Sequence, residues 1–307
     1  MKPITFTRIK RKLIRTFFRE QWSLLLLSGE SFLEDAGENR RLLKKIVPPL
    51  DFQWADPFIA EWEGRVYIFV EQQYKHESGT LGYIEPFAHT QCSFPVLEKP
   101  YHLSFPNVFH YENAWYMIPE SHENRTIDLY KAADFPTAWE LEATLMRDVD
   151  AVDSVVFSHD AKWWLFTSIK EKGAAGKHKT SHNDNLHLFY ADSFPTDKWT
   201  PHPQNPICTG ETNSRMAGAV FRGAQGKVYR PAQNCLKDYG KETNINEILE
   251  LTETSYKEKL IETVLPEKEM NAVCTHTLNF SEKYAVRDIK TRVWRRETAK
   301  EKPLVDQ

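Results

Sequence analysis

The sequence predicts an all-β protein built as a five-bladed β-propeller, and two observations support this prediction. A segment of similar sequence occurs four times along the 307 residues, at intervals of roughly 50 to 60 residues, which is typical of propellers and solenoids. Each copy consists of two short apolar runs joined by a polar or glycine turn, as in a β-hairpin. The copies span residues 55–72, 104–121, 152–169 and 217–234, and a less regular fifth copy spans residues 276–290.

Each hairpin is followed by material for two further strands, which completes the four strands of a propeller blade. Residues 129–139 (LYKAADFPTAW) resemble residues 188–199 (LFYADSFPTDKW), and strand-like runs also follow the first and fourth hairpins. After the fifth hairpin about 17 residues remain, too few for two strands and their loops. We therefore expect the N-terminal run SLLLLS, residues 23–28, to close the ring as an outer strand of blade five.

The repeat divides the chain into three parts: a basic N-terminal helix at residues 1–21, a single propeller domain at residues 22–296, and a charged tail at residues 297–307. In the basic segment, apolar residues recur near helical spacing among arginines and lysines. This pattern predicts an interfacial helix that contacts an anionic membrane surface, or a membrane-bound partner, through residues 8–19. The alternative is a solvated helix packed on the propeller.

Composition narrows the classes of function. A net charge of −3 gives no general attraction to nucleic acid, and the sequence contains neither an apolar run long enough to span a membrane nor a secretory signal. Four widely separated cysteines without CxxC spacing indicate a reducing compartment. We therefore expect a cytoplasmic protein, peripheral to the inner face of the membrane if the basic helix binds lipid. Nucleotide-binding glycine motifs and the GxSxG motif are absent, so no cofactor is predicted.

The register of the hairpins predicts which residues share one rim of the propeller. In a hairpin the start of the first strand and the end of the second lie at the same edge, and in a propeller the first strand lines the central channel. The starts of first strands are Asp56, Phe105, Asp153, Gly218 and His276, and the ends of second strands are Glu71, Glu120, Ser168, Gln233 and Asp288. The predicted neighbours on this rim are His102, Ser104, Arg215, Arg230 and Asn279.

Several carboxylates at one rim favour a chemical role. Two carboxylates, one ionised and one protonated, are the equipment of glycoside hydrolysis. On this interpretation Asp56 is the base or nucleophile, Glu120 the acid, and Asp153 a group that tunes a pKa or holds the substrate. The predicted substrate-binding residues are Glu71, His102, Ser104, Arg215, Arg230, Gln233, His276, Asn279 and Asp288.

Two alternatives to this chemistry stay open. The carboxylates could instead cap strand ends and pair with arginines, an arrangement that would disfavour hydrolysis, and Asp288, next to Arg287, best suits that structural role. No metal ligand is predicted. The alternative is one divalent cation in the channel, held by His102, His276 and rim carboxylates.

Eight short motifs, in this order, resemble one known family. They are WADPF, HLSFP, MIPES, HPQNPI, RMAGAVF, YRPAQNC, DYG and HTLNF, between residues 54 and 280. Together they resemble the N-terminal domain of plant glucosamine inositolphosphorylceramide transferase and its bacterial stand-alone relatives, over roughly residues 22–290. That domain is in turn similar to the five-bladed propellers of glycoside hydrolase families 43 and 32.

The resemblance implies a glycan-related role. In family 43 hydrolases the base opens blade one, which Asp56 matches, and a modulating Asp opens blade three, which Asp153 matches. The general acid of that family comes from blade four, where this sequence has Gly218, so Glu120 or Glu211 would have to replace it. In the plant enzyme, sugar transfer is attributed to a separate C-terminal domain, and this sequence ends without one.

The sequence therefore predicts a propeller that binds or processes a glycan or glycoconjugate in surface polysaccharide or glycolipid biosynthesis. Its expected partner is a sugar-containing small molecule or glycan, and not nucleic acid. Whether the protein is an enzyme, with a hydrolase-like or sugar-transfer activity of the rim carboxylates, is left open. The alternative is a non-catalytic scaffold that partners a glycosyltransferase, with the basic helix as its docking element.

Overall fold

The computed structural model describes residues 16–28, 41–75, 77–171 and 181–294. These residues form five antiparallel sheets that follow one another as the blades of a propeller, so the predicted all-β, five-bladed fold is confirmed. No helix in these ranges is long and apolar enough to cross a membrane. All four cysteines are free thiols.

The strands follow the predicted order of hairpin, loop and outer strands. Two strands, β1 (Phe18–Ser28) and β2 (Leu42–Ile46), precede blade one in the chain. Blade one contains β3 (Phe52–Trp62), β4 (Arg65–Tyr74), β5 (Thr80–Ile84) and β6 (Ser93–Leu97). Blade two contains β7 (Ser104–Tyr111), β8 (Ala114–Glu120), β9 (Thr126–Asp134) and β10 (Ala138–Arg147).

The remaining blades are less regular. Blade three contains β11 (Ala151–His159), β12 (Lys162–Ile169), β13 (Asn185–Ala191), β14 (Thr200–Pro201) and β15 (Cys208–Thr209). Blade four contains β16 (Arg215–Met216), β17 (Phe221–Arg222), β18 (Val228–Asn234), β19 (Glu242–Leu251) and β20 (Tyr256–Val264). Blade five adds β21 (Ala272–Cys274), β22 (Leu278–Phe280) and β23 (Tyr284–Trp294) to the two N-terminal strands. Short 3-10 helices span His122–Asn124, Ala224–Gly226 and Lys268–Met270.

Blade five is assembled from the two ends of the described chain. Strand β1 pairs antiparallel with β23 over its whole length, from Phe18 opposite Trp294 to Ser28 opposite Tyr284, and β2 pairs with the other edge of β1. The N-terminal segment thus supplies two outer strands to this blade, where the sequence predicted a single strand at residues 23–28.

The predicted basic helix falls mostly outside the described residues. Residues 1–15, which include most of the proposed membrane contact at 8–19, and the predicted tail at 297–307 are not described. The helix prediction is wrong for residues 18–21, because these already belong to β1. Pairing with β23 gives their backbone groups the hydrogen bonds that a helix would otherwise provide.

Aromatic side chains pack the blades against one another. The aromatic residues common to the repeat are buried in blades one to four: Tyr67, Tyr116, Trp164 and Tyr229. Trp54 and Phe105, which lie near the rim in sequence, are fully buried and belong to the core. The ring of blades therefore rests on apolar packing, and the polar residues of the rim are available for another role.

A β-bulge opens the first strand of blades one, two and three. The strand register shifts between Ala55 and Phe58, between Ser104 and Asn107, and between Val152 and Val155. Inside these bulges Asp56, Phe105 and Asp153 have φ angles of 49°, 44° and 52°, in the left-handed region. Non-glycine residues rarely adopt this region, and such strained positions cluster at functional sites. The bulge therefore repeats with the sequence and re-aims the side chain at each first-strand start.

Candidate functional site

The predicted rim encloses a polar pocket of about 280 Å³. Its lining combines carboxylates, imidazoles and one guanidinium from blades one, two, four and five. The lining residues are Trp22, Gln53, Ala55, Asp56, Glu71, Gln73, His102, Ser104, Glu120, His122, Arg215, Tyr239 and His276. Seven residues that the hairpin register predicted at this rim line the pocket: Asp56, Glu71, His102, Ser104, Glu120, Arg215 and His276.

Arg215 neutralises two carboxylates at once. Its Nε donates to Asp153 Oδ2 at 2.5 Å, and its Nη2 lies 3.6 Å from Glu120 Oε2. Gln233 donates to the same Asp153 oxygen at 3.2 Å, so Asp153 is held from two sides and is nearly inaccessible. One guanidinium shared between two carboxyl groups is the arginine pairing that we expected to disfavour hydrolysis, and it involves Glu120, the predicted acid, and Asp153, the predicted tuning group.

Glu120 and Asp153 titrate as a coupled pair. Burial raises the pKa of Asp153 to about 8; Arg215 opposes this rise and the charge of Glu120 adds to it. Burial also acts to raise the pKa of Glu120, but the hydrogen bond from His122 Nδ1 at 2.8 Å and the Arg215 charge outweigh it and lower that pKa to about 2. Glu120 is therefore the carboxyl that ionises more readily, and Asp153 is the one that retains its proton to higher pH.

His276 joins the carboxylates of blades one and five. Its Nδ1 lies 2.5 Å from Asp288 Oδ2, and its Nε2 lies 3.7 Å from Asp56 Oδ1. Burial acts to lower the pKa of His276, but the charges of Asp288 and Asp56 outweigh it, and the net shift is upward. The His276 ring is therefore a buried bridge between two carboxylates.

Asp288 and Asp56 use their oxygens on protein donors. Asp288 accepts the backbone N–H groups of Asp56, His276 and Thr277 at 2.9 to 3.1 Å. Asp56 accepts the Thr277 hydroxyl at 2.7 Å and the Phe105 N–H at 3.3 Å. Asp56, His276 and Asp288 offer metal-ligand atoms within 4.8 Å of one another, but these hydrogen bonds already engage them. The trio therefore fits a hydrogen-bonded ion cluster better than a cation site, and His102 stands outside it.

Glu71 and His102 form a separate pair. The backbone N–H of Gly79 donates to His102 Nδ1 at 2.9 Å, so the ring proton resides on Nε2, which lies 3.5 Å from Glu71 Oε1. Burial raises the pKa of Glu71 well above the ordinary glutamate value, and the neighbouring charges of Asp56, Glu120, Asp288 and Asp153 add to the rise. The pocket thus contains one carboxyl that favours its neutral, proton-bearing form.

Four predicted substrate-binding residues do not line this pocket: Arg230, Asn279, Gln233 and Asp288. Arg230 is fully buried in blade four, where its Nη2 lies 2.6 Å from Glu258 Oε1 and donates to the Asn213 carbonyl. Asn279 donates to the Pro57 carbonyl at 2.8 Å and accepts the Ala219 N–H at 2.8 Å, which ties blades one, four and five together. The predictions for Arg230 and Asn279 are corrected to structural roles. Gln233 and Asp288 support pocket residues from behind.

Several lining residues were not predicted. Trp22 stacks on His276 at a centroid distance of 4.2 Å, and Lys290 Nζ lies 4.7 Å from the Trp22 ring. Tyr239 lies beneath Arg215, whose guanidinium is 4.9 Å from the ring centroid. His122 follows directly after the MIPES motif, and Tyr239 lies in the DYG motif, so the motifs contained a signal for both. Gln53, Ala55 and Gln73 complete the set.

The described residues thus define a five-bladed β-propeller with a polar central pocket. The fold is similar to that of the Bacteroides ovatus protein Xyloglucan PUL GH43B, with a TM-score of 0.55 and 11% identity over 81% of this chain and 53% of that one. It is also similar to inulosucrase from Halalkalicoccus jeotgali, with a TM-score of 0.51 and 12% identity over 69% of this chain and 70% of that one. These likenesses concern the fold alone.

Sequence comparison identifies the family. Residues 43–282 match the family model described as glucosamine inositolphosphorylceramide transferase 1, N-terminal, and the chain belongs to this family. Glucosamine inositolphosphorylceramide transferase 1 of Oryza sativa subsp. japonica is 33% identical over 210 residues, 66% of this chain and 27% of that protein. The Arabidopsis thaliana protein of the same name is also 33% identical over 210 residues, 26% of its length. The chain therefore spans about a quarter of the length of these relatives.

Proposed function

We propose that the central pocket binds a hydroxyl-rich head group, a sugar or an inositol, and that the propeller recognises a glycolipid or surface glycan during its biosynthesis. The observation that carries this proposal is Glu120. Its side chain is 5% exposed, its Oε1 is bonded by His122, and its Oε2 accepts no hydrogen bond from the described residues, since Arg215 Nη2 stays 3.6 Å away and supplies charge without a close contact. A buried acceptor without a donor costs about 1–3 kcal/mol, and a ligand hydroxyl would remove that cost.

The other lining groups suit the same class of ligand. Glu71 in its neutral form can donate to a ligand oxygen, and Asp56 and Ser104 offer further acceptors on the adjacent wall. Trp22 and Tyr239 place aromatic rings at the edge of the pocket. A few convergent polar groups beside aromatic surface are typical of small-molecule sites.

The family supports the chemical class. The names of the relatives contain glucosamine, which is an amino sugar, and inositolphosphorylceramide, which contains an inositol. A pocket with more carboxylates than arginines also suits the ammonium group of an amino sugar.

Isothermal titration calorimetry tests this proposal. The parent protein is titrated with glucosamine, myo-inositol and inositol 1-phosphate, and at least one is expected to bind saturably. Glu120→Gln removes the acceptor charge and is expected to weaken binding at least tenfold, about 1.4 kcal/mol. Glu140→Gln, exposed on β10 of blade two, is the matched control and is expected to bind as the parent does. If the parent protein binds none of the three compounds, the proposal is wrong.

A second candidate function is the scaffold for a glycosyltransferase. It is favoured by exposed apolar side chains on and beside the outer strands of blade four, namely Leu249, Leu260, Ile261 and Leu265. This alternative makes the opposite prediction for function in the cell. Glu120→Gln would leave glycan formation unchanged, whereas the double substitution Leu260→Lys and Leu265→Lys would reduce it.

A further inference from the structure

We infer that Glu71 is the proton donor of this pocket and delivers its proton to the leaving-group oxygen of a bound glycoside. The inference rests on the proposed function, because it takes the ligand to be a sugar. It also moves the role of acid from Glu120, where the sequence placed it, to a residue of blade one.

The distribution of positive charge singles out Glu71. Arg215 serves Glu120 and Asp153, and His276 serves Asp56 and Asp288. Among the described residues Glu71 has no ion pair with an arginine or lysine, and its polar contact is His102 Nε2 at 3.5 Å. Glu71 therefore lies among carboxylates from blades one, two, three and five without a strong cation of its own. Proton uptake by Glu71 relieves the repulsion between its charge and theirs.

Neighbouring residues hold the Glu71 side chain in position. A Cβ on Gly79 would lie 2.7 Å from His102 Cε1 and 2.8 Å from Glu71 Oε1, so glycine leaves the room that both side chains occupy. The Gly79 N–H fixes the His102 proton on Nε2, which points it toward Glu71. His102 is accordingly a positioning residue, and Glu71, 16% exposed, keeps access to the pocket.

Asp56 is the complementary base. Its backbone neighbour Ala55 pairs with Glu71 across β3 and β4, so the two carboxyl groups belong to adjacent strands of one blade. Burial raises the pKa of Asp56, while the charge of His276 and the Thr277 hydroxyl lower it. Burial and the neighbouring carboxylates raise the pKa of Glu71 well above the ordinary glutamate value. Two carboxyls whose environments separate their pKa values are suited to act as acid and base.

The proposed step is hydrolysis of the glycosidic bond of the bound ligand. The bond between the anomeric carbon and the leaving-group oxygen breaks, its electron pair stays on that oxygen, and the oxygen takes the proton of Glu71. A water oxygen bonds to the anomeric carbon, and its proton goes to Asp56. Exchange with solvent then returns the proton to Glu71.

Leaving-group dependence tests this step. Phenyl and 2,4-dinitrophenyl glycosides are prepared from whichever sugar binds the parent protein, and both are expected to be hydrolysed. Glu71→Gln is expected to lose about 10²- to 10⁴-fold in kcat/KM on the phenyl glycoside, and only a few-fold on the dinitrophenyl glycoside, whose leaving group needs no proton. The same substitution should remove the alkaline limb of the pH profile. Glu140→Gln is the control and keeps the parent rates.

The outcomes separate this inference from the proposed function. If the parent protein binds sugar but hydrolyses neither glycoside, or if Glu71→Gln slows both glycosides equally, the proton-donor role is overturned while binding stands. If the parent protein binds no sugar, the proposed function itself fails. Carbon-13 labelling of glutamate carboxyls in the parent protein gives a check that needs no variant. One signal should titrate well above the ordinary glutamate range, and its absence would also overturn the role of Glu71.

Discussion

At the scale of single residues, the main feature of the pocket is that several carboxyl groups share only a few cations. Arg215 neutralises carboxylates of two blades, and His276 bridges two more. Taking charges out of water is costly, and each pair repays that cost only while both partners are present. The charged groups of the pocket are therefore strongly interdependent.

Removal of Arg215 should expose this dependence. Arg215→Met keeps most of the side-chain volume but leaves the buried Glu120 carboxylate without its cation and Asp153 without its guanidinium donor, so we expect a loss of about 3–5 kcal/mol in the free energy of unfolding at neutral pH. Urea denaturation measures this loss. Arg147→Met, at an exposed position of β10, is the control and should change stability by less than about 0.5 kcal/mol. Equal effects of the two substitutions would contradict the proposed role of Arg215.

The raised pKa of Asp153 has a consequence for stability against pH. Its folded pKa of about 8 lies above the ordinary value of 3.8, so the folded protein holds the proton that the unfolded chain loses. Stability should therefore fall as pH rises from about 4 to about 8, by up to about 1.4 kcal/mol per pH unit from this group. Asp153→Asn should flatten that slope in denaturation curves collected across the range. The exposed Asp197→Asn should leave the slope as it is, and an unchanged slope in Asp153→Asn would contradict the assignment.

At the scale of elements, the bulge that opens each first strand determines where the pocket residues point. In blade four the equivalent position is occupied by Gly218, whose φ is 149°. A Cβ at this glycine would lie 2.2 Å from the Leu278 carbonyl oxygen and 2.8 Å from Asn279 Oδ1. The missing carboxylate of blade four is thus a packing requirement, because blade five approaches too closely for any side chain.

Gly218→Ala should therefore be costly. The clash with the Leu278 backbone is expected to lower the free energy of unfolding by about 1–3 kcal/mol or more. Gly64→Ala is a useful comparison, because Gly64 also has a positive φ, 75°, but nothing lies within 4 Å of its added Cβ. We expect thermal unfolding to place Gly218→Ala clearly below Gly64→Ala, and a reversed order would refute the packing argument.

At the scale of the whole molecule, the pairing of β1 with β23 joins the two ends of the described chain. Leu24 and Leu26 of β1 are fully buried in a cluster that also contains Trp54 and Ile68 of blade one. The N-terminal strand thus completes blade five and packs it against blade one, so its side chains should matter for the whole ring.

Leu26→Ala tests this contribution. Removing a buried leucine side chain typically costs 2–5 kcal/mol, and here the whole propeller should lose that stability in one transition. Leu43→Ala on β2, at a side chain that is 40% exposed, should cost much less. Denaturation followed by both tryptophan fluorescence and circular dichroism measures the loss. A loss in Leu26→Ala no larger than in Leu43→Ala would contradict a structural role for β1.

The sequence predicted the blades and most of the rim, because the repeat preserves both the hairpin register and the bulge. Arg230 was misplaced because it lies three residues from Gln233 on one strand, and side chains an odd number of residues apart face opposite sides. Trp22 and Tyr239 lie outside the repeated hairpins. The position of Trp22 depends on the distant pairing of β1 with β23, which no local pattern records, and Tyr239 was signalled only by the DYG motif in the loop after β18.

The sequence also did not predict the pKa shifts of the site residues. The pKa of Glu120 is lowered because His122 and Arg215 converge on it, and the pKa of Glu71 is raised because it is buried among other carboxylates. Both depend on contacts between blades, and residue type and strand position do not specify them. The acid and base roles therefore changed, although the residues stayed at the rim.

The central claim, that this pocket binds a hydroxyl-rich head group, is tested most directly by nuclear magnetic resonance of the tryptophan indoles. The chain has nine tryptophans, and Trp22 lines the pocket, whereas Trp62 and Trp294 lie exposed outside its lining. Addition of glucosamine or inositol 1-phosphate should shift the Trp22 indole signal, assigned through Trp22→Phe, in a saturable way and leave Trp62 and Trp294 unmoved. An unmoved Trp22 signal, or equal shifts at all three indoles, would contradict the claim.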